Sequence, residues 1–249
     1  MGKRRPRPWI RISGTIKINA QPSGQEEMAM NDLNIVHGVI VRPEGCFQGN
    51  IEIRGGKIIR VCPVREPVNP ARDTVDACGL LVFPGLIDSH VHIRGGRFSY
   101  REDFASGTMA AAGGVTTIVE MPVALPPASR KEDFVARVQE AAPQVYVDYA
   151  MYGGAGSDNL EEIPCLAKAG AMAYKTFLMP PVPGREKEFY GLCSETEEAL
   201  ARVMEKVAET GRLLAVHSEL NQYVQAQTEK EMKSGHNGLK AFCRSRPVE

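Results

Sequence analysis

The sequence predicts an α/β protein in which a small β domain precedes a parallel sheet flanked by helices. Two runs rich in β-branched residues come first, at 34–41 and 51–61. From residue 80 onward, strand-like and helix-like segments alternate at intervals of about 30 residues, which is typical of βα units. Five such units are found, and no Gly-rich fingerprint follows the first strand, so a dinucleotide-binding sheet is not indicated.

The small β domain is predicted at residues 30–79. Gly55 and Gly56 separate two β-branched runs, which is the pattern of a two-residue hairpin turn. The stretch from Asp76 to Gly79 has the composition of a second turn.

Five apolar segments are predicted as the strands of the parallel sheet. They span residues 80–92, 115–122, 145–152, 171–179 and 212–220. A (β/α)8 barrel is a common fold with this alternation, but it needs eight units in ~250 residues. Residues 80–249 hold only five, so the count predicts less than a whole barrel.

Helices are predicted between these strands. Two of them are expected to begin at capping boxes, formed by Ser129 with Glu132 and by Ser194 with Glu197. The segment 158–170 is predicted as another helix, and a polar helix follows the fifth strand.

Composition and charge exclude several classes of protein. The 249 residues carry 30 basic and 30 acidic side chains, and 43% of the residues are hydrophobic. That hydrophobic content rules out a wholly disordered chain. The zero net charge argues against a chain built to bind nucleic acid or an anionic membrane. No run of ~18 apolar residues is present, so no membrane-spanning helix is predicted.

The first 29 residues differ from the rest of the chain. Six basic side chains precede the first acid, Glu26, and three prolines interrupt the segment. We expect a flexible basic arm at 1–29, with an organelle-targeting segment or a nucleic-acid arm as alternatives. The six cysteines include no Cys-x-x-Cys pair and follow no apolar signal segment. Reduced thiols and a cytoplasmic location are therefore expected.

Chemistry-bearing residues lie near the ends of three predicted strands. His90 and His92 are two apart, so both imidazoles face the same side of a strand. Neutral imidazoles are ligands for zinc and similar metals, although an isolated His-x-His is as often incidental. Lys175 lies within the fourth strand and His217 at the end of the fifth. A desolvated lysine can lose its proton and react with carbon dioxide to form a carbamate, an anionic metal ligand. His37 and His236 lack such a context and are predicted to be surface residues.

The chain resembles the cyclic amidohydrolases, a family that includes allantoinase, dihydroorotase and hydantoinase. The matching motifs are FPGLIDSHVH, EDFASGTMAAAGGVTTIVEMP, AYKTFLMP, LLAVHSEL and RSRPVE. The resemblance covers residues 30–249. It implies a partial (β/α)8 TIM barrel at 80–249, the N-terminal part of a metal-dependent hydrolase, preceded by a small β-sandwich-type domain.

The resemblance also implies a binuclear site holding two divalent metal ions, with zinc expected first. His90 and His92 would bind one ion, His217 the other, and the Lys175 carbamate would bridge them. A hydroxide between the metals would attack the amide carbonyl of a cyclic amide or ureide. The catalytic aspartate of the family would come from a later strand, beyond Glu249. We therefore expect an N-terminal fragment that is inactive by itself, from a parent enzyme that forms homo-oligomers.

Substrate identity is predicted from departures within the family pattern. Arg94 would contact the substrate, and in dihydroorotases the matching arginine holds a carboxylate. Gly95-Gly96-Arg97 and Val123 depart from the dihydroorotase pattern, whereas IVEMPVALPPAS and FCRSRPVE are more similar to allantoinase. Allantoinase is the favoured interpretation. Hydantoinase, dihydroorotase and a non-catalytic structural relative are the alternatives, and Arg94 as a surface arginine stays open.

Overall fold

The computed structural model describes residues 30–247, in two compact units that meet in sequence at Gly85 and Leu86. The predicted basic arm at 1–29 lies outside the described residues. The first unit is a β unit, residues 30–85, and the second is an α/β unit, residues 86–247. Each unit is built around its own sheet.

The β unit is one five-stranded sheet, in which β2, β1 and β4 are neighbours and β3 lies outside β2. Its strands are β1 (Asn31–Arg42), β2 (Gly45–Arg54), β3 (Lys57–Pro63), β4 (Ala71–Asp76) and β5 (Leu81–Val82). The predicted hairpin is confirmed, since Gly55 and Gly56 join β2 to β3 with φ values of 60° and 71°. Both values lie in the left-handed region, which glycine adopts without a steric penalty.

A buried carboxylate organises the β unit. Glu52 is completely buried and accepts hydrogen bonds from Asn31 (2.8 Å), Asn69 (2.8 Å) and Arg60 (2.8 Å). Burial by itself would raise the pKa of Glu52, but these donors outweigh it, so the pKa lies below its ordinary value of 4.5. Three segments of the unit are thereby connected through one ionised side chain.

The α/β unit is a curled sheet of five parallel strands, which confirms the predicted fold class. Its strands, in the order that they occupy in the sheet, are β6 (Leu86–Val91), β7 (Val115–Glu120), β8 (Asp148–Gly154), β9 (Ala173–Phe177) and β10 (Leu213–His217). Its helices are α1 (Phe104–Ala111), α2 (Lys131–Ala141), α3 (Glu162–Ala169), α4 (Glu197–Ala208), α5 (Asn221–Lys233) and α6 (Leu239–Arg244). We call this unit the half-barrel. Within residues 30–247 no helix is both long and apolar enough to cross a membrane.

The core of the half-barrel includes apolar side chains of both the sheet and the helices. Phe104, Phe134, Ile163 and Leu166 are among its fully buried helical members. Tyr174 of β9 lies in the same core and donates a 2.5 Å hydrogen bond to the carbonyl oxygen of Ile163. Because successive strand residues face opposite sides, Lys175 lies on the other face of the sheet from Tyr174.

The two predicted capping boxes are wrong. Arg130 occupies the N-cap of α2 without a side-chain hydrogen bond, and α4 is capped by Thr196, which accepts from the Ala199 amide. Ser129 and Ser194 are fully buried. The Ser194 hydroxyl is hydrogen-bonded to the Thr176 hydroxyl of β9 at 2.8 Å. A buried hydroxyl without a partner is costly, whereas water can satisfy the amides at an exposed helix end.

Strands β6 and β10 are the edges of the described sheet. Leu86 and Ile87 on β6 are 61% and 66% exposed, and Leu213 on β10 is 80% exposed. The described residues therefore form an open sheet with apolar side chains at both edges, as five of the eight strands of a barrel would.

We predict that Glu52→Gln lowers the free energy of unfolding by about 2 kcal/mol at pH 7. The N–H donors of the glutamine amide would face the N–H donors that now bind the carboxylate, so hydrogen bonds would be lost. The folded pKa of Glu52 is lowered, so its stabilisation is present above pH 4.5 and is lost as the pH falls through the folded value. Urea unfolding at several pH values measures this. The difference between the wild type and the variant should shrink below pH 4.5. Glu44→Gln, in the exposed turn between β1 and β2, is the control. A constant difference down to pH 2.5, about two units below the ordinary carboxyl pKa, would contradict the prediction.

Candidate metal centre

The carboxyl ends of β6, β9 and β10 bring the four predicted ligands towards one site. His90 lies in β6, His92 follows it, Lys175 lies in β9 and His217 ends β10. The His90 and His92 ring centroids are 5.4 Å apart. Desolvation lowers the pKa of His90, and the nearby charges of Lys175 and His217 lower it further. Lys175 and His217, which are far from His90 in sequence, are therefore close enough to it in space to affect its pKa.

His92 has the most strongly perturbed ring in this group. Partial desolvation, followed by the charge of Arg94 and then of His90 and Lys175, lowers the pKa of His92 to about 4. Part of the ring is still open to solvent. Its imidazole is therefore neutral at pH 7 and has a lone pair available for a metal.

Lys175 is a largely buried residue whose amine has no counter-ion within residues 30–247. Its residue is 4% exposed, and its amine has no hydrogen-bond or ion-pair partner among the described residues. The Nζ atom lies 4.8 Å from the centroid of the Phe177 ring. Burial lowers the pKa of Lys175. A buried lysine that is unpaired usually has a functional reason, so this side chain fits the role of a reactive amine.

His217 is held between an aromatic ring and a carboxylate. Its ring centroid is 5.3 Å from that of Phe177, and its Nε2 atom lies 3.6 Å from Glu219 Oε2. The parallel pairing of β9 with β10 aligns Lys175 with Ala215 and Phe177 with His217. Phe177 therefore contacts both Lys175 and His217.

Within residues 30–247, no three His, Cys, Asp or Glu side chains are close enough together to hold a metal ion. The candidate site contains three histidines and Lys175. A metal at these strand ends would thus need a donor of another type, and a carbamate on Lys175 would have anionic oxygens of that kind.

Glu120, the last residue of β7, holds the loop that follows the two histidines. Its carboxylate accepts from the amides of Ile93 (2.8 Å) and Arg94 (2.9 Å), and from Arg137 of α2 (2.7 Å). Glu120 is 1% exposed and Arg137 is 6% exposed. From the sequence, Glu120 is recognised only as part of the motif IVEMPVALPPAS, with no role predicted for its side chain. The signal for its role was an acidic side chain at the end of an otherwise buried apolar strand.

Glu140 of α2 supports the same loop from the other side. It accepts a 2.8 Å hydrogen bond from the Gly96 amide, and its second oxygen lies 3.6 Å from Arg137. A Cβ atom at Gly95 would approach Glu140 Oε1 to 2.8 Å, and its φ is 51°. The backbone conformation therefore favours glycine at this position, and a larger residue would also displace the Glu140 carboxylate.

Arg94 lies at the start of this loop in a left-handed conformation, with φ of 68°. Its side chain is 19% exposed, and its Nη1 atom donates to Glu188 Oε2 at 3.3 Å. The guanidinium also lies 5.7 Å from the centroid of the Phe98 ring. Arg94 is thus a paired, largely covered side chain.

A model of the amidohydrolase family matches residues 81–245, which include all four candidate ligands. The chain belongs to the amidohydrolase family.

Relatives from two named groups of this family have similar levels of identity. An L-hydantoinase of Paenarthrobacter aurescens is 31% identical over 226 residues, covering 88% of this chain and 47% of the relative. An allantoinase of Deinococcus radiodurans is 30% identical over 223 residues, covering 87% of this chain and 47% of the relative. An allantoinase of Saccharomyces cerevisiae is 36% identical over 178 residues, and the match covers 70% of this chain and 36% of the relative.

Solved structures show the same relationship. The L-hydantoinase from Arthrobacter aurescens superposes with a TM-score of 0.78 at 30% identity, over 88% of this chain and 48% of that chain. A D-hydantoinase superposes with a TM-score of 0.70 at 28% identity, over 87% and 46%. This amidohydrolase chain therefore spans about half the length of the relatives that it matches.

We predict that Glu120→Gln destabilises this amidohydrolase chain by about 3 kcal/mol, because it leaves buried Arg137 without its anionic partner. The amides of Ile93 and Arg94 should also exchange faster with solvent, since they lose a charged acceptor. Urea unfolding and amide hydrogen exchange measure the two effects. Glu205→Gln, on the exposed face of α4, should change neither. Unchanged exchange at Ile93 and Arg94 in the Glu120 variant would argue against the loop-holding role.

Proposed function

We propose that this chain supplies the metal-binding half of an enzyme that opens a cyclic amide or ureide ring by hydrolysis of a C–N bond. The observation that carries the proposal is Lys175, a largely buried residue whose amine has no counter-ion among the described residues and whose charge lowers the pKa of both His90 and His92. Membership of a family with allantoinase and hydantoinase relatives supports the same chemistry.

The proposed ligands divide into two groups. His90 and His92 would hold one divalent ion, and His217 would hold a second, with the Lys175 carbamate between them. Imidazole nitrogen and carbamate oxygen suit zinc, and they also accept manganese, cobalt or iron. When bound, such ions polarise a carbonyl group and lower the pKa of a water molecule towards neutrality.

The residues of the chain would prepare this site in three ways. Glu120 and Glu140 hold the loop after the histidines, so that the two rings keep their separation. Burial lowers the pKa of Lys175 and so favours its neutral, reactive form. Arg94 would donate a hydrogen bond to a substrate oxygen near His92.

A ring ureide of the allantoin type is the proposed substrate, and hydantoin is the second candidate. The L-hydantoinase relative, at 31% identity and with a superposable structure, favours the second. Dihydroorotate is a weaker candidate, because Arg94 is already paired with Glu188. A non-catalytic role is disfavoured, because all four expected ligands are present. The homo-oligomeric state and the cytoplasmic location stay predictions.

We predict that the purified chain binds zinc more tightly when bicarbonate is present, because carbon dioxide converts Lys175 to an anionic ligand. Isotopically labelled bicarbonate should give a carbamate signal by NMR in the wild type. Lys175→Ala should remove that signal and weaken zinc binding by at least about tenfold, or 1.4 kcal/mol. Metal binding is the readout because the chain spans about half the length of its relatives.

Lys168→Ala is the matched control, since Lys168 is an exposed lysine in the last turn of α3. It should leave both the carbamate signal and the zinc affinity unchanged. Equal zinc affinity in the wild type and Lys175→Ala, in the presence of bicarbonate, would refute the proposed site.

A further inference from the structure

We infer that Glu188 determines the substrate class of this site, because it occupies Arg94 and so favours neutral rings over rings that carry a carboxylate. The inference rests on the proposed function and deepens it. Arg94 follows His92 by two residues, and a guanidinium is well suited to hold a carboxylate through two hydrogen bonds. What Arg94 binds in the chain itself therefore bears directly on what it can offer a substrate.

The position of Arg94 is determined at both its backbone and its side chain. Its amide donates to Glu120, and its φ of 68° turns the chain sharply at this point. Its only side-chain hydrogen bond among the described residues is the one to Glu188, at 3.3 Å. The two side chains are 19% and 11% exposed, so salt screens this pair less than a surface pair.

A second arginine also binds the Glu188 carboxylate. Arg185 donates from Nε to Glu188 Oε1 at 3.0 Å and from Nη2 to Glu188 Oε2. The guanidinium of Arg185 also lies 5.3 Å from the centroid of the Phe189 ring. The hydrogen bond from Arg185 outweighs burial and lowers the pKa of Glu188, so the carboxylate is ionised at neutral pH.

A substrate carboxylate would have to reach Arg94 with this carboxylate already in place. Two carboxylates on one guanidinium repel each other, and in a partly covered site water weakens that repulsion only incompletely. Arg101 adds a further positive charge nearby, but it lies towards solvent and stacks on Phe98 and Tyr100. Long-range attraction of an anion is thus possible, whereas close contact with Arg94 is opposed by Glu188.

A neutral ring meets no such repulsion. A ureide carbonyl oxygen needs one N–H donor, and the guanidinium has five, of which Glu188 uses one. The arrangement therefore fits a cyclic ureide without an ionised substituent, bound through a ring carbonyl. Removing the charge of Glu188 should release Arg94 for a carboxylate.

The test measures the binding of two rings to the zinc- and bicarbonate-treated chain by calorimetry. The probes are hydantoin and a hydantoin bearing an acetate side chain. We expect the wild type to bind the acetate-bearing ring at least about tenfold more weakly than hydantoin. Glu188→Gln should tighten binding of that ring by about tenfold and leave hydantoin unchanged. Circular dichroism and thermal unfolding verify that each variant is folded.

Two further variants assign the effect. Glu186→Gln removes the same charge from the same turn, where Glu186 is exposed and accepts from the Gly184 amide, so it should give no gain. The double variant Arg94→Gln with Glu188→Gln should abolish the gain, because the freed donor is then missing.

The inference is overturned if the wild type binds both rings equally, if Glu186→Gln gives the same gain, or if the gain persists without Arg94. A further outcome is that hydantoin binds to no variant while Glu188→Gln alone still tightens binding of the acetate-bearing ring. In that case the proposed function fails and the role of Glu188 stands. If neither ring binds to any variant, both fail.

Discussion

The candidate site depends on the hydrogen bonds and the ion pair that the Glu120 carboxylate makes. It ends β7, it is almost fully buried, and it takes hydrogen bonds from two successive amides of the loop after His92. A buried carboxylate is costly to desolvate, so it persists only where donors and an opposite charge surround it. Arg137 supplies that charge from α2, and it also approaches Glu140, which holds the next part of the same loop. One ionic cluster thereby ties strand, helix and histidine loop together.

The second constraint is the parallel register of β9 with β10. It places His217 beside Phe177, two positions beyond Lys175, on the face of the sheet away from the helices. On the opposite face, Tyr174 packs in the apolar core and is hydrogen-bonded to α3. The core therefore orients Lys175, because alternate residues of a strand must face opposite sides. A cation that would prefer water is held in a covered position by the packing of its neighbours.

The ion pairs around Arg94 connect two loops at the carboxyl ends of the strands. Arg185 and Glu188 belong to the connection between β9 and α4, far in sequence from the histidines. Glu188 accepts a hydrogen bond from Arg94 and so joins this connection to the loop after β6, and Arg185 donates to the same carboxylate. Loops at the carboxyl ends of parallel strands are where related enzymes differ most, because they do not carry the packing of the sheet.

The sequence by itself determined the class of fold and the hairpin at Gly55 and Gly56, because periodicity and turn chemistry are local properties, but it did not determine where each parallel strand ends. It also pointed to His90, His92, Lys175 and His217, although their roles as ligands stay proposals. Helix starts at Ser129 and Ser194 were predicted wrongly, since burial of both hydroxyls overrode a local capping preference. Only the tertiary structure decided that Glu120 holds the histidine loop and that Glu188 occupies Arg94. Both contacts join residues at least 26 positions apart, and a pairing over such a distance is settled by how strands and loops pack.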